Sequence, residues 1–272
     1  MCSNMPSDQR NFYLPSLAPC AYLGMYDFPA LRPALNAWWT GLAGHFKEQG
    51  FDNPPGALDR SGVDPYEIWL APNLFLAQTC GYPLTHRLAG KVRLVGTPCY
   101  NAPGCDGAFY RSLFIVRTET EANSLSDVLP ARVAVNGEDS YSGWLALRKA
   151  VVALDRKGES FSEIVNSGSH ANSIDCVREG KADIAAIDCV TLALIGDVEP
   201  ERLAGTRVLE QSLPAPGLPF ITNIYMSESD VVRMTTAIRN AFIAPELEGV
   251  RRALRLAEFR NVSLQDYERF MT

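Results

Sequence analysis

Residues 167–194 read SGSHANSIDCVREGKADIAAIDCVTLAL, and their order carries the reading of the whole chain. Ser-Gly-Ser-His opens a predicted helix whose Ala171, Ile174 and Val177 share one face and which Gly180 stops. ADIAAI (182–187) then returns as a buried strand ending on Asp188. Upstream, FSEIV (161–165) supplies the entering strand. In a β-α-β unit the end of the first strand, the start of the helix and the end of the second strand lie on one edge of the sheet. Ser169 and Asp188 are therefore expected to be neighbours, although they are far apart in sequence.

The same grammar occurs just before. RVAV (132–135) leads to NGEDSYSG (136–143) and then to WLALRKAVVAL (144–154), whose Leu145, Leu147, Val151 and Leu154 approximate a helical stripe. This brings Ser140 or Ser142 to the same edge. Open α/β sheets take ligands at the carboxyl ends of their strands. Helix starts there offer free N–H groups and the positive end of the dipole to oxyanions. The plainer reading of either serine is a helix N-cap, worth about 1 kcal/mol; the convergence of two such starts, a His and an Asp favours a site.

The flanks read as a second lobe that this segment interrupts. YLGMYD (22–27), LFLAQTCGYPL (74–84), VRLVGTPCY (92–100) and YRSLFIVR (110–117) are apolar runs ending in polar or aromatic residues. APGLPFITNIYMS (215–227) brings the chain back into a new strand near 220–226, and helices are expected at about 228–243, 246–257 and 263–271. The expected organisation is one lobe from 1–117 plus 215–272 and an inserted lobe from 118–214, with a cleft between them suited to a small ligand.

Composition bounds the function. The 272 residues are 47% hydrophobic and 10% aromatic, enough for a full core. A net charge of −6 with Lys and Arg scattered among acids argues against nucleic acid, and the longest apolar runs are strand-sized, far below the roughly 20 residues of a membrane helix. Residues 1–20 show no basic segment leading into an apolar one, so no secretory signal is predicted. Seven cysteines without metal-ligand spacing fit a reduced protein; Cys99 and Cys105, flanking YNAPG, are the candidate pair for a disulfide if the protein is exported. No cofactor or metal is expected.

With these residues in hand, SGSHANSIDCVREGKADIAAIDCVTLAL preceded by NGEDSYSGWLAL resembles the phosphate/phosphite/phosphonate substrate-binding proteins of ABC transporters. MYD, QTCGYPL and GTPCYNAPGCDGAFYRSLFIVR are similar to that family's first lobe, so the resemblance covers most of the chain. It implies an α/β, two-lobed type 2 periplasmic-binding fold with a ligand clamped in the cleft, a transport permease as partner, a periplasmic location and no chemistry performed. In the family order, GKADIAAID is followed by a return strand. The positions carried over are Tyr26, Asp27, Gln78, Thr79, Tyr82, Ser140, Ser142, Gly168, Ser169, His170 and Asp188. A branch working inside the cell as a sensor or carrier is the alternative location and role.

Two carboxylates, Asp27 and Asp188, would repel a phosphate dianion at close range by several kcal/mol at an effective dielectric of about 20. They therefore favour a ligand that presents a proton or an ammonium group: monoprotonated phosphate or phosphite, or an aminoalkylphosphonate. A pyrimidine-like heterocycle held between tyrosines is the neutral alternative. The rival class is a thiol enzyme with Cys80 or Cys189 as nucleophile, His170 as base and Asp188 as orienter, which requires a Cys–His contact.

Overall fold

A computed structural model describes residues 18–154 and 161–271; the expectations for the first 17 residues lie outside them. The chain folds around two five-stranded sheets. The first region supplies β1 (Cys20–Tyr22), β2 (Leu74–Gln78) and β3 (Val92–Tyr100), after which β4 (Phe109–Tyr110) leads across. β5 (Ser112–Arg117), β6 (Ala131–Val135), β7 (Phe161–Asn166), β8 (Ile184–Asp188) and β9 (Thr206–Gln211) follow. β10 (Ala215–Pro216) leads back to β11 (Phe220–Asn223) and β12 (Leu256–Arg260).

Strand order is β1-β2-β11-β3-β12 in the first sheet and β7-β6-β8-β5-β9 in the second. β4 and β10 pair antiparallel with each other, so the two crossovers run side by side. β5, which the sequence reading places ahead of the 117/118 boundary, is hydrogen-bonded between β8 and β9 in the second sheet.

Local chemistry accounts for these elements. Leu74–Gln78 and Ile184–Asp188 are buried along their whole length, as strands covered on both faces must be. The long helix α1 (Arg32–Glu48) buries Leu35, Trp38, Trp39, Leu42 and Phe46, a stripe at helical spacing. It packs on the Glu228–Ile243 helix, where Trp38 meets Phe242 edge-to-face with ring centroids 5.1 Å apart.

Two expectations fail for reasons visible in the backbone. The helix expected over 246–257 stops at Ala253; Arg255 turns at φ +54°, and Leu256–Arg260 closes the first sheet beside β3 as β12. The apolar run after Asp188 is not a return strand. It is a helix, Cys189–Val198, capped by the Asp188 carboxylate, which accepts from the N–H groups of Val190 and Thr191.

β6, β7 and β8 are mutually parallel, so their carboxyl ends share one edge. Helix starts follow from each: the π-turn Tyr141–Leu145 running into Ala146–Ala153 after β6, the helix His170–Arg178 after β7, and Cys189–Val198 after β8. Gly168 at φ +79° and Gly180 at φ +71° make the bends on either side of the His170–Arg178 helix. β6 lies between the other two, so Ser169 and Asp188 flank its end rather than each other.

Candidate functional site

This edge faces a cavity of about 430 Å³ between the two sheets. Its lining includes six expected residues: Asp27, Ser140, Ser142, Ser169, His170 and Asp188. Ser140 caps the π-turn by accepting from Gly143 N at 3.0 Å, and Ser169 caps its helix by accepting from Asn172 N at 3.1 Å. Ser142 Oγ is 2.9 Å from His170 Nε2. The His170 ring is pulled down to about 4 by burial, so it is neutral at neutral pH and its pairing with Ser142 carries no net charge.

Asp188 is 2% exposed. Its Oδ2 accepts from the Tyr26 hydroxyl at 2.7 Å, and its Oδ1 accepts from Val190 N at 2.7 Å. Burial raises this carboxyl to about 6, even though these donors act to lower it. Tyr26 comes from the first region of the chain, so this bond crosses the cleft. Tyr66 to Asp139 at 2.7 Å, Arg255 to Asp197 at 2.5 Å and Lys149 to the Phe270 carbonyl at 2.9 Å cross it elsewhere.

The first-region residues carried over from the resemblance are mostly engaged in holding that region together. Asp27 lines the cavity but is clasped by Arg60 at 2.7 Å and Arg32 at 3.3 Å. Gln78 donates to the Tyr100 hydroxyl and the Leu218 carbonyl, both at 3.1 Å. The Thr79 hydroxyl is buried with no hydrogen-bond partner among the described residues. Tyr82 stacks on His86 with centroids 3.8 Å apart. Tyr26, Gln78, Thr79, Tyr82 and Gly168 are absent from the cavity lining.

The structure adds residues that the sequence reading missed. Asn136 lines the cavity at the end of β6, and its Oδ1 is buried without a partner among the described residues. The strand-end rule that found Asp188 applies to it equally. Gly143 is dictated by Asn136: a Cβ there would lie 1.7 Å from Asn136 Oδ1 and 3.1 Å from His170 Cε1. Arg202 reaches the cavity from a short 3₁₀ turn but is engaged by Asp175 and Glu199; nothing in the local sequence signals it. Every charged lining side chain except Asp188 thus has an ionic partner, and the donors left for a ligand are neutral.

The thiol-enzyme constellation is not assembled. Burial pushes the Cys80 thiol up, and the Cys189 thiol is pushed up by its contact with Cys105 and by burial. Among the described residues neither thiol is hydrogen-bonded to His170. No group of His, Cys, Asp or Glu among them has metal-site geometry, and no helix is long and apolar enough to cross a membrane.

Comparison with known proteins bears on the family and the fold. In sequence, the chain is 29% identical over 156 residues to the phosphonates-binding periplasmic protein of Escherichia coli K12, a match covering 56% of this chain and 46% of that protein. The chain thus spans about half the length of the curated relative it matches. In structure, it resembles PhnD1 of Prochlorococcus marinus in complex with methylphosphonate, with a TM-score of 0.74 at 13% identity over 92% of this chain and 94% of that one. It also resembles XAC2383 of Xanthomonas citri bound to ATP, with a TM-score of 0.69 at 14% identity over 94% of this chain and 97% of that one. These likenesses show the type 2 periplasmic-binding fold. The family model described as "ABC transporter, phosphonate, periplasmic substrate-binding protein" matches residues 74–267, well over half of the sequence. The chain belongs to this family of transporter substrate-binding proteins.

Proposed function

We propose that the protein is the solute-binding component of an ABC importer and that its cleft closes on a small phosphonate, phosphite or phosphate. One observation carries this: three helix starts converge on one cavity and bring it Ser140, Ser142, Ser169 and neutral His170, with no unpaired cation among the charged lining residues. Hydroxyl and backbone N–H donors at helix starts bind a tetrahedral oxyanion by directed hydrogen bonds. Two lobes joined by paired crossovers suit closure around it. The lobes are 18–111 plus 212–271 and 112–211 in this reading, following the sheets.

The charge of the cavity narrows the ligand. Asp27 is neutralised by its arginines, whereas Asp188 is a buried carboxyl raised to about 6. A dianion beside an ionised Asp188 is repelled, so the monoanion or an aminoalkylphosphonate is preferred. Export to the periplasm and docking to a permease belong to the same proposal and rest on family membership.

Calorimetric titration with methylphosphonate, 2-aminoethylphosphonate, phosphite, phosphate and sulfate tests it. Binding of at least one phosphorus oxyanion, lost in Ser142→Ala, is expected. A folded protein that takes none of them overturns the reading.

A further inference from the structure

Two cysteines from distant parts of the chain meet beside the cleft. Cys105 sits on the first crossover, between β3 and β4, and Cys189 is the first residue of the helix that Asp188 caps. Their Sγ atoms are 3.5 Å apart although 84 positions separate them. The approach depends on Gly104, at φ +103°, where a Cβ would lie 2.9 Å from Cys189 Cβ and 3.2 Å from its Sγ. A side chain there would push the crossover off the helix.

Cys99, the partner that sequence spacing suggests for Cys105, is turned elsewhere. Its Sγ contacts the Thr97 carbonyl at 3.7 Å, and burial pushes its thiol up to about 12. Cys189 is buried whereas Cys105 is only half-buried, so an oxidant reaches Cys105 first.

We propose that Cys105 and Cys189 form a dithiol that closes to a disulfide and latches the first crossover onto the cleft helix. The oxidant is a small-molecule disulfide of the glutathione class. The Cys105 thiolate attacks one glutathione sulfur, forming a mixed disulfide and expelling the other glutathione as thiolate. Cys189 then gives up its proton and attacks the Cys105 sulfur, and the second glutathione thiolate leaves. Two protein thiols are oxidised, one glutathione disulfide is reduced, and the two protons released by the cysteines end on the two glutathione thiols. The sulfurs need to close from 3.5 Å to about 2.0 Å, a displacement that the crossover loop can supply.

The cross-link would enclose β4 to β8, tying the loop ahead of β4 to the helix that follows Asp188. It constrains the unfolded chain over a long loop and restrains the crossover on which lobe movement depends. This holds whatever the cleft binds.

The test incubates reduced, purified protein with oxidised glutathione, alkylates free thiols and maps peptides without reduction. The expected product is a cross-linked peptide pair holding Cys105 and Cys189, two hydrogens lighter than its parts and reversed by dithiothreitol. Its melting temperature should stand several degrees above that of the reduced protein. Cys105→Ser and Cys189→Ser should each abolish both the cross-link and the shift, and Cys99→Ser should keep both. Circular dichroism of the reduced variants checks folding; should Cys189→Ser fail to fold, the wild-type peptide map and Cys105→Ser decide alone. A Cys99–Cys105 cross-link, or glutathione retained on Cys105 with Cys189 alkylated, overturns the pairing. A Cys105–Cys189 cross-link without a melting shift overturns the latch.

Discussion

The two walls of the cleft are built on different principles. On the second-sheet wall, three parallel strands end together and each delivers a capped helix start, so Ser140, Ser142, Ser169, His170 and Asp188 meet by topology alone. On the first-sheet wall the polar residues answer to one another: Asp27 to Arg60 and Arg32, Gln78 to Tyr100, Tyr82 to His86. One wall presents groups to the cavity and the other mostly satisfies its own. Substitutions in the second wall should therefore cost affinity, and those in the first should cost stability or little at all.

The sharpest contrast comes from one added methyl in each lobe. At Gly143 it would meet Asn136 Oδ1 at 1.7 Å and displace His170 as well. We expect Gly143→Ala to destabilise by about 1–3 kcal/mol through overpacking and to reduce affinity for the best phosphorus oxyanion at least a hundredfold. At Gly81 the methyl would meet the end of the Met271 side chain at 2.6 Å and Tyr267 at 3.0 Å. Met can move aside, so Gly81→Ala should keep affinity within about threefold. Urea unfolding and calorimetry on both variants read the contrast, and equal losses of affinity would erase the distinction between the walls.

Titration gives the second test, because the second wall holds two buried groups that pull in opposite directions. Asp188 is raised from 3.8 to about 6, so its contribution to stability falls as pH rises through that interval. His170 is lowered from 6.5 to about 4, and the unfolded chain takes up its proton first on acidification, so its contribution rises with pH over the same interval. Each amounts to roughly 3 kcal/mol, and together they nearly cancel. Relative to wild type, Asp188→Asn should gain stability as pH rises between about 4 and 6. His170→Gln should lose it, relative to wild type, as pH rises between about 4 and 6.5. Melting curves for all three proteins across this range that stay parallel would show that neither group is buried as described.

Bonds across the cleft should rank by burial. Tyr26→Phe removes the hydroxyl that serves buried Asp188 and should cost about 1.5–3 kcal/mol, as for hydrogen bonds to charged groups. Tyr66→Phe removes the bond to part-exposed Asp139 and should cost under about 1 kcal/mol. Denaturant midpoints in the reverse order would place the main contact between the lobes at Asp139.

This difference between the walls also explains what the sequence could show. The β-α-β edge is a consequence of local periodicity, so the strand at 131–135, the helix at 170–178 and the grouping of Ser169, His170 and Asp188 were readable from spacing. Asn136 followed the same rule and was overlooked. The clasp on Asp27 joins residues 33 positions apart, the Tyr26–Asp188 bond joins residues 162 apart, and β12 exists because β3 offers it an edge. Such pairings carry no local period. The apolar stretch after Asp188 misled because its stripe is nearly all round: a helix wedged between two cores reads like a strand.

The smallest expected effect is at Thr79, the residue that most directly separates a ligand-facing first wall from a self-contained one. Its hydroxyl is fully buried, lies off the cavity lining and finds no partner among the described residues. Valine has nearly the same shape and leaves no polar atom to satisfy. An unmet buried hydroxyl costs about 1–3 kcal/mol in desolvation, so Thr79→Val should leave stability unchanged or raise it by about 1 kcal/mol. Affinity should stay within about twofold, because nothing that touches the ligand is removed. A tenfold loss of affinity in a folded Thr79→Val protein would place that hydroxyl on the ligand and make the first wall a contributor to recognition after all; an unchanged affinity alongside the Gly143→Ala loss would confine recognition to the second wall.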